Sequence, residues 1–298
     1  MAAFVISLDF ELGWGSISSE KWLQREKRGI FDSVRDDFGR ILQRSSELDI
    51  PMTIACVGAM IQNPSDWNFD HLPQSYRSAV EYFVGRAKKT TFDGSDLFEM
   101  ILASNVQHEI ASHTYTHLHA RHPEANDDCL KAEINKSLSA LGKFSKKIST
   151  LIFPRDQVFN PSVLSDSEIS CIRIPPIIDK NNRCLSHFSV PKSVCTYGSW
   201  GGLELSGSLF LNWSTGKKSF VKKIIIKNNT NRLIHKKKHG RVYHFWFHPF
   251  NLAETKGFSS WYLKFMDEAA LSRDRNELSF LTMTDLCNDV RLDRIQPT

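Results

Sequence analysis

Four of the chain's 11 histidines fall within the dozen residues HEIASHTYTHLH, 108–119. HEIASH has one residue too many between its histidines for the zinc-protease helix motif. His113 and His117, from HTYTH, stand at i, i+4, so one helical turn, or a loop of the same reach, brings two imidazoles to one cation. His108, His119 and His122 have no such partner and are expected to be ordinary surface or hydrogen-bonded histidines. Acids stand near the start of the chain, in SLDFELGW. Strand alternation puts Asp9 and Glu11 on one face and Leu8, Phe10 and Leu12 on the other. Two carboxylates on a buried strand end are costly unless paired, hydrated or bound to a cation; an exposed end with two solvated acids is the ordinary alternative. Glu11, His113 and His117 together offer only nitrogen and oxygen ligands and leave a position for water, the pattern of a catalytic zinc-type site. Asp9 is then placed as a general base toward that water. Far along the chain, VYHFWFHPFN puts His244, Trp246 and His248 on one face, with His248 at the strand's C-terminal end and His244 deeper, as a core or supporting histidine.

These residues need strands to carry them to one place. Strand-like runs at 3–11, 51–58, 108–113, 150–154, 171–175, 242–248 and 278–283 alternate with helix-like ones at 29–48, 75–88, 95–104 and 127–145, and a last helix starts near Asp285. Such alternation implies a mainly parallel sheet covered by helices. In parallel α/β folds, active-site groups collect at the C-terminal strand ends, where Asp9, Glu11, His113 and His248 can converge. Residues 176–216 show no clear period and are expected to be long irregular loops. No linker divides the chain, so 1–298 is expected to be one α/β domain, most economically closed as a barrel.

At 298 residues and 41% hydrophobic, the chain can bury a core without disulfides. Its six cysteines lack metal-knuckle or C-x-x-C spacing and are expected to be reduced structural thiols. MAAFVISLDFE has no basic leader, and no apolar run is long enough to span a bilayer, so a soluble, cytoplasmic protein is expected. Net charge is +5, yet segment 217–241 holds ten Lys and Arg and no acid. It reads either as a patch for a polyanion (anionic lipid, sugar diphosphate or nucleic acid) or as a solvated helix face whose Phe220, Ile224 and Ile225 dock on the body. No nucleic-acid motif accompanies it, so that partner is not expected, and any membrane contact would be peripheral.

In order along the chain, SLDFELGW, HEIASHTYTH, HFWFHP and FLTMTDL resemble the conserved segments of the polysaccharide deacetylases, the NodB-homology or carbohydrate esterase 4 family. The resemblance runs from residue 4 to about 286 and implies a distorted (β/α) barrel with about seven strands. It implies Asp9 as the base, Glu11, His113 and His117 as ligands of one divalent transition metal, zinc being favoured, and His248 as the acid. In place of the family's third motif, R-x-P-aromatic, stands FPRDQVFN, whose Arg155 would orient and ionise Asp9. Phe10 separates the two acids of the first motif, a D-x-acid variant resembling cytoplasmic members and surface-polysaccharide pathways. A Tyr115 backbone N–H, or a neighbour's, would serve the oxyanion, and Tyr115, Trp14 and Trp246 are expected to meet substrate. The implied reaction is metal-dependent removal of an N-acetyl, or other N-acyl, group from an amino sugar, and the basic segment 217–241 would suit a nucleotide- or lipid-linked one. Hydrolysis of a cyclic amide or ureide, as in allantoinase-like relatives, and a non-catalytic carbohydrate-binding barrel are the alternatives.

Overall fold

The structure, a computed structural model, describes residues 1–145, 147–158, 160–165, 167–176, 193–213, 219–238, 240–292 and 294–295. Among these residues ten strands form the sheet: β1 (Ala2–Phe10), β2 (Thr53–Cys56), β3 (Glu109–Ser112), β4 (Thr150–Ile152), β5 (Cys171–Ile174), β6 (Cys195–Tyr197), β7 (Leu203–Ser206), β8 (Leu209–Phe210), β9 (Val242–Phe247) and β10 (Leu278–Leu281). Their order is β6-β7-β5-β4-β3-β2-β1-β9-β8, with β10 on β1, and every pairing except β6 with β7 is parallel.

The sheet curls because one short segment serves both of its ends. β7 pairs with β5, while β8, two residues further on, pairs with β9. The change of partner is visible in the backbone: Gly207 N–H donates to Ile174 O at 3.2 Å, and Ser208 N–H to His244 O at 2.7 Å. Glycine is required at that corner, since a Cβ on Gly207 would lie 2.5 Å from the Trp246 ring. Seven positions therefore run round the barrel; β6, β10 and the division of β7 from β8 bring the strand total above the expected number.

Both faces of β1 are buried, as a strand enclosed by helices requires. Ala3 and Val5 face an interior of small side chains, with Ala55, Ala111, Ile152 and Cys171, plugged by Met283, Leu286, Cys287 and Val290 from the helix Met283–Arg291. That helix begins with a capping box, Thr282 and Asp285 each accepting from the other's backbone N–H, two residues earlier than expected. Phe4, Ile6, Leu8 and Phe10 face the outer helices, where Ile30–Glu47 supplies Val34, Phe38 and Ile41.

The helices at Ile30–Glu47, Gln74–Arg86 and Ser95–Leu102 stand where periodicity puts them. The helix at 127 ends at Leu141, which leaves Phe144 beyond it and exposed. The irregular region 176–216 is corrected: β6, β7 and β8 lie within it, while 177–192 and 214–216 are outside the described residues. The basic segment contains a helix, Ser219–Lys236, but its packing differs from expectation. Ile226, Leu233 and Ile234 face the body, whereas Phe220 and Ile224 are exposed; Lys217, Lys218 and His239 lie outside the described residues. No helix among the described residues is long and apolar enough to cross a membrane.

Filling the corner at Gly207 forces Trp246 off its rotamer. Gly207→Ala is expected to lower stability to urea by about 1–3 kcal/mol. An unchanged unfolding midpoint would show that Trp246 does not press on the corner.

Candidate metal centre

β1 runs into the site with Asp9 on its last turn of pleat and Glu11 just beyond, both almost fully buried. The chain then folds over Glu11: Leu12 has φ 42°, and a Cβ on Gly15 would stand 1.9 Å from Glu11 Oε1. Only glycine at 15 lets the backbone cover that carboxylate.

The two histidines of HTYTH come from a loop after β3, not from a helix. Thr114 and His117 both take left-handed backbone, φ 62° and 66°. Such strain persists only where surroundings hold it. Here the holder is Glu133, a fully buried carboxylate on the helix Asp127–Leu141. It accepts from the backbone N–H groups of Tyr115 at 3.1 Å and Thr116 at 2.9 Å, from Thr116 Oγ1 at 2.8 Å, and from His71 Nε2 at 2.7 Å.

So held, the loop brings His113 Nε2 within 3.2 Å and His117 Nε2 within 2.8 Å of Glu11 Oε2. One ligand atom from each of the three residues lies within 4.8 Å of the others. His113 Nδ1 is 2.7 Å from the Ile152 carbonyl, to which it must donate. In the neutral ring Nε2 then carries a lone pair facing a carboxylate oxygen, which is repulsive unless a positive charge lies between them. The electrostatics agree. Burial pushes His113 toward its neutral form, yet the bond to Glu11 and the charge of Asp9 reverse this and raise its pKa. Burial keeps His117 on the neutral side. Burial would raise the Glu11 carboxyl too, but His248, His117 and His113 hold it well below its usual range. These three residues could hold a cation, and their nitrogen and oxygen donors fit a divalent transition metal.

Asp9 is held differently. Arg173, on β5 and only 1% exposed, forks onto it: Nη1 to Oδ1 at 2.7 Å and Nη2 to Oδ2 at 2.6 Å. The same guanidinium donates through Nε to Asp156 at 2.7 Å and through Nη1 to Ser7 Oγ at 3.2 Å. Burial works to raise the Asp9 carboxyl, and Arg173 with His113 outweighs it and holds the group below its ordinary value. This corrects the expectation for Arg155, whose side chain is exposed on the loop after β4. Arg173-Ile174-Pro175 carries the R-x-P spacing, and that was the signal for it. Ser7 Oγ stands 2.7 Å from His244 Nε2, so His244 is a buried supporting group.

His248 closes the site from β9, its Nε2 3.3 Å from Glu11 Oε1 and 3.8 Å from Asp9 Oδ2. Its tautomer is set by a relay. Arg25 pairs with Glu254 at 3.0 Å, Glu254 accepts from Asn251 Nδ2 at 3.3 Å, and Asn251 Oδ1 therefore faces His248, accepting from its backbone N–H at 3.0 Å and lying 3.2 Å from Nδ1. Nδ1 keeps its hydrogen, which leaves Nε2 facing the two carboxylates. Phe250 lies flat on the ring at 4.8 Å.

Three expected substrate contacts are corrected. Trp14 is fully buried, donates to Phe92 O at 2.7 Å and packs on Trp67 and Phe83. Tyr115 is buried with its hydroxyl on Gln62 at 2.7 Å, and Glu133 already holds its N–H, so it offers nothing to an oxyanion. Trp246 lies inside the barrel under Arg173 and beside Phe210, largely covered. His108 and His122 are hydrogen-bonded as expected. His119 instead sets its ring edge-on to His117, 5.4 Å away, where burial lowers its pKa to about 3.

Known structures share this architecture. A putative polysaccharide deacetylase from Mycobacterium smegmatis superposes with TM-score 0.60 at 15% identity, over 99% of this chain and 92% of that one. The fold is that of a polysaccharide deacetylase. Two further structures also share it. A GH57-type branching enzyme from Pyrococcus horikoshii gives 0.54 at 10% identity, over 100% of this chain and 70% of its own, and a 4-alpha-glucanotransferase from Thermococcus litoralis gives 0.52 at 10%, over 100% and 39%. No family model matches the sequence, and no curated protein does. The barrel therefore admits more than one chemistry, and the side chains must decide between them.

Arg173 supplies the test of Asp9. In Arg173→Met, burial is no longer opposed by the guanidinium and the Asp9 pKa rises. With Asp9 as the proposed base, which works only when ionised, the acid limb of kcat/KM is expected to move to higher pH, read from a rate profile between about pH 4 and 8. An unmoved limb would separate Asp9 from the rate.

Proposed function

We propose that the chain is a metal-dependent N-deacetylase of the polysaccharide deacetylase family, removing an N-acetyl or other N-acyl group from an amino sugar that serves as an intermediate of surface-glycan assembly in the cytoplasm. The observation that carries this reading is the convergence of Glu11, His113 and His117 beside an ionised Asp9 on one side and His248 on the other.

Glu11, His113 and His117 would hold the metal, which when bound polarises an acyl oxygen and lowers the pKa of water, with zinc the favoured ion. Arg173 keeps Asp9 ionised and its carboxylate fixed, ready to accept a proton from attacking water. His248 Nε2, oriented through Asn251, Glu254 and Arg25, is placed to protonate the departing amine, without which the amide re-forms. The partial exposure of His248 marks the side from which substrate enters.

The glucan-processing enzymes of similar fold raise a glycosidase alternative. That reaction requires one carboxyl kept protonated as the acid, with a raised pKa. Here Arg173 forks onto Asp9 and three imidazoles meet Glu11, so neither carboxyl stands in the uncompensated apolar setting such an acid needs, which favours amide hydrolysis with histidine as the acid.

Asp9→Asn and His248→Ala are each expected to lower kcat on N-acetylated amino sugars by about a hundred- to ten-thousandfold while the fold persists. Acetate release is the readout, with ring opening of cyclic amides and ureides run beside it. A His248→Ala protein with near-normal kcat removes His248 from the mechanism; ring opening without acetate release replaces the sugar with a cyclic substrate.

A further inference from the structure

The helix Ser219–Lys236 carries two faces of different character. Its inner face buries Ile226, Asn229, Thr230, Leu233 and Ile234. On its first turns Phe220, Val221 and Ile224 point away from the body, 71%, 57% and 43% exposed. Large apolar side chains displayed together on a helix already anchored by its other face call for a partner.

The surrounding charge says which partner. The helix holds five basic residues, Lys222, Lys223, Lys227, Arg232 and Lys236, and no acid. Lys223 and Lys227 lie over the ring of Trp213, their ammonium groups 4.3 and 5.5 Å from its centroid. We propose that this helix docks the protein on an anionic lipid surface, Phe220, Val221 and Ile224 entering the acyl boundary while Lys222, Lys223 and Lys227 meet the headgroups. Apolar tips ringed by lysine suit such an interface. Nucleic acid would use the lysines and leave Phe220 and Ile224 in water.

The connection fixes which end of the barrel approaches the lipid. The helix links β8 to the parallel strand β9, so its first turns lie at the strands' C-terminal end, with His248. Phe210 of β8 touches the His248 ring edge-on at 5.2 Å. A docked protein therefore turns its catalytic mouth toward the headgroups. The docking surface rests on exposure and charge alone, independent of the metal chemistry.

The test is sedimentation of the full chain with vesicles of phosphatidylcholine containing phosphatidylserine, or of phosphatidylcholine alone. Binding is expected to the anionic vesicles only, and to weaken with salt. Lys222→Glu, Lys223→Glu and Lys227→Glu should each lower partitioning about fivefold or more. The double variant Phe220→Ser, Ile224→Ser should lower it about tenfold or more, while Leu102→Ser, at an exposed leucine on another helix, should not. Unchanged circular dichroism would show that the variants remain folded. Binding insensitive to the Phe220, Ile224 pair, equal binding to neutral vesicles, or capture of a duplex oligonucleotide in preference to vesicles would each overturn the proposal.

Discussion

Two carboxylates, Asp9 and Glu11, sit buried at the end of the central strand, and the compensation of their charge organises everything around them. An uncompensated buried carboxylate costs several kcal/mol. Each is therefore met by cationic or hydrogen-bonding groups from a different part of the barrel: Arg173 from β5, His113 and His117 from the loop after β3, and His248 from the end of β9. Because β1 lies between β2 and β9, its end is within reach of both sides of the barrel. The two acids are compensated unequally. Asp9 has a bidentate guanidinium, shared with Asp156, whereas Glu11 has only imidazoles.

Precision at this site comes from groups that never touch it. Glu133 gathers the backbone of residues 115 and 116 and so fixes the left-handed turns that aim His113 and His117. Asn251, Glu254 and Arg25 do the equivalent for His248, setting which nitrogen carries the hydrogen. Both supports lie on helices, where packing holds them in place. The basic helix Ser219–Lys236 adds a separate feature at the same end of the barrel, relating the site to its surroundings rather than to its chemistry.

Much of this was legible in the residues. Strand and helix periods mark most elements, and alternation alone puts Asp9 with Glu11 and His244 with His248. The gaps have physical causes. β6, β7 and β8 are two to four residues long, too short for a period to show. Arg173 stands in an otherwise apolar strand, CIRI, and nothing local reveals that it faces the interior rather than solvent; its R-x-P spacing was the only cue. Trp14 and Tyr115 are neighbours of site residues in the chain, yet the turns after Glu11 and His113 send their side chains into the outer core. Glu133 gives no signal on its helix, because its partners lie in a loop whose path only the folded chain defines.

Metal content per chain, measured by elemental mass spectrometry on the wild type and on Glu11→Ala and His117→Ala, tests the central claim most directly. About one equivalent of a transition metal in the wild type, lost from both variants, is the expected result. A wild-type protein free of metal after growth in zinc-replete medium, or metal retained in both variants, would contradict it.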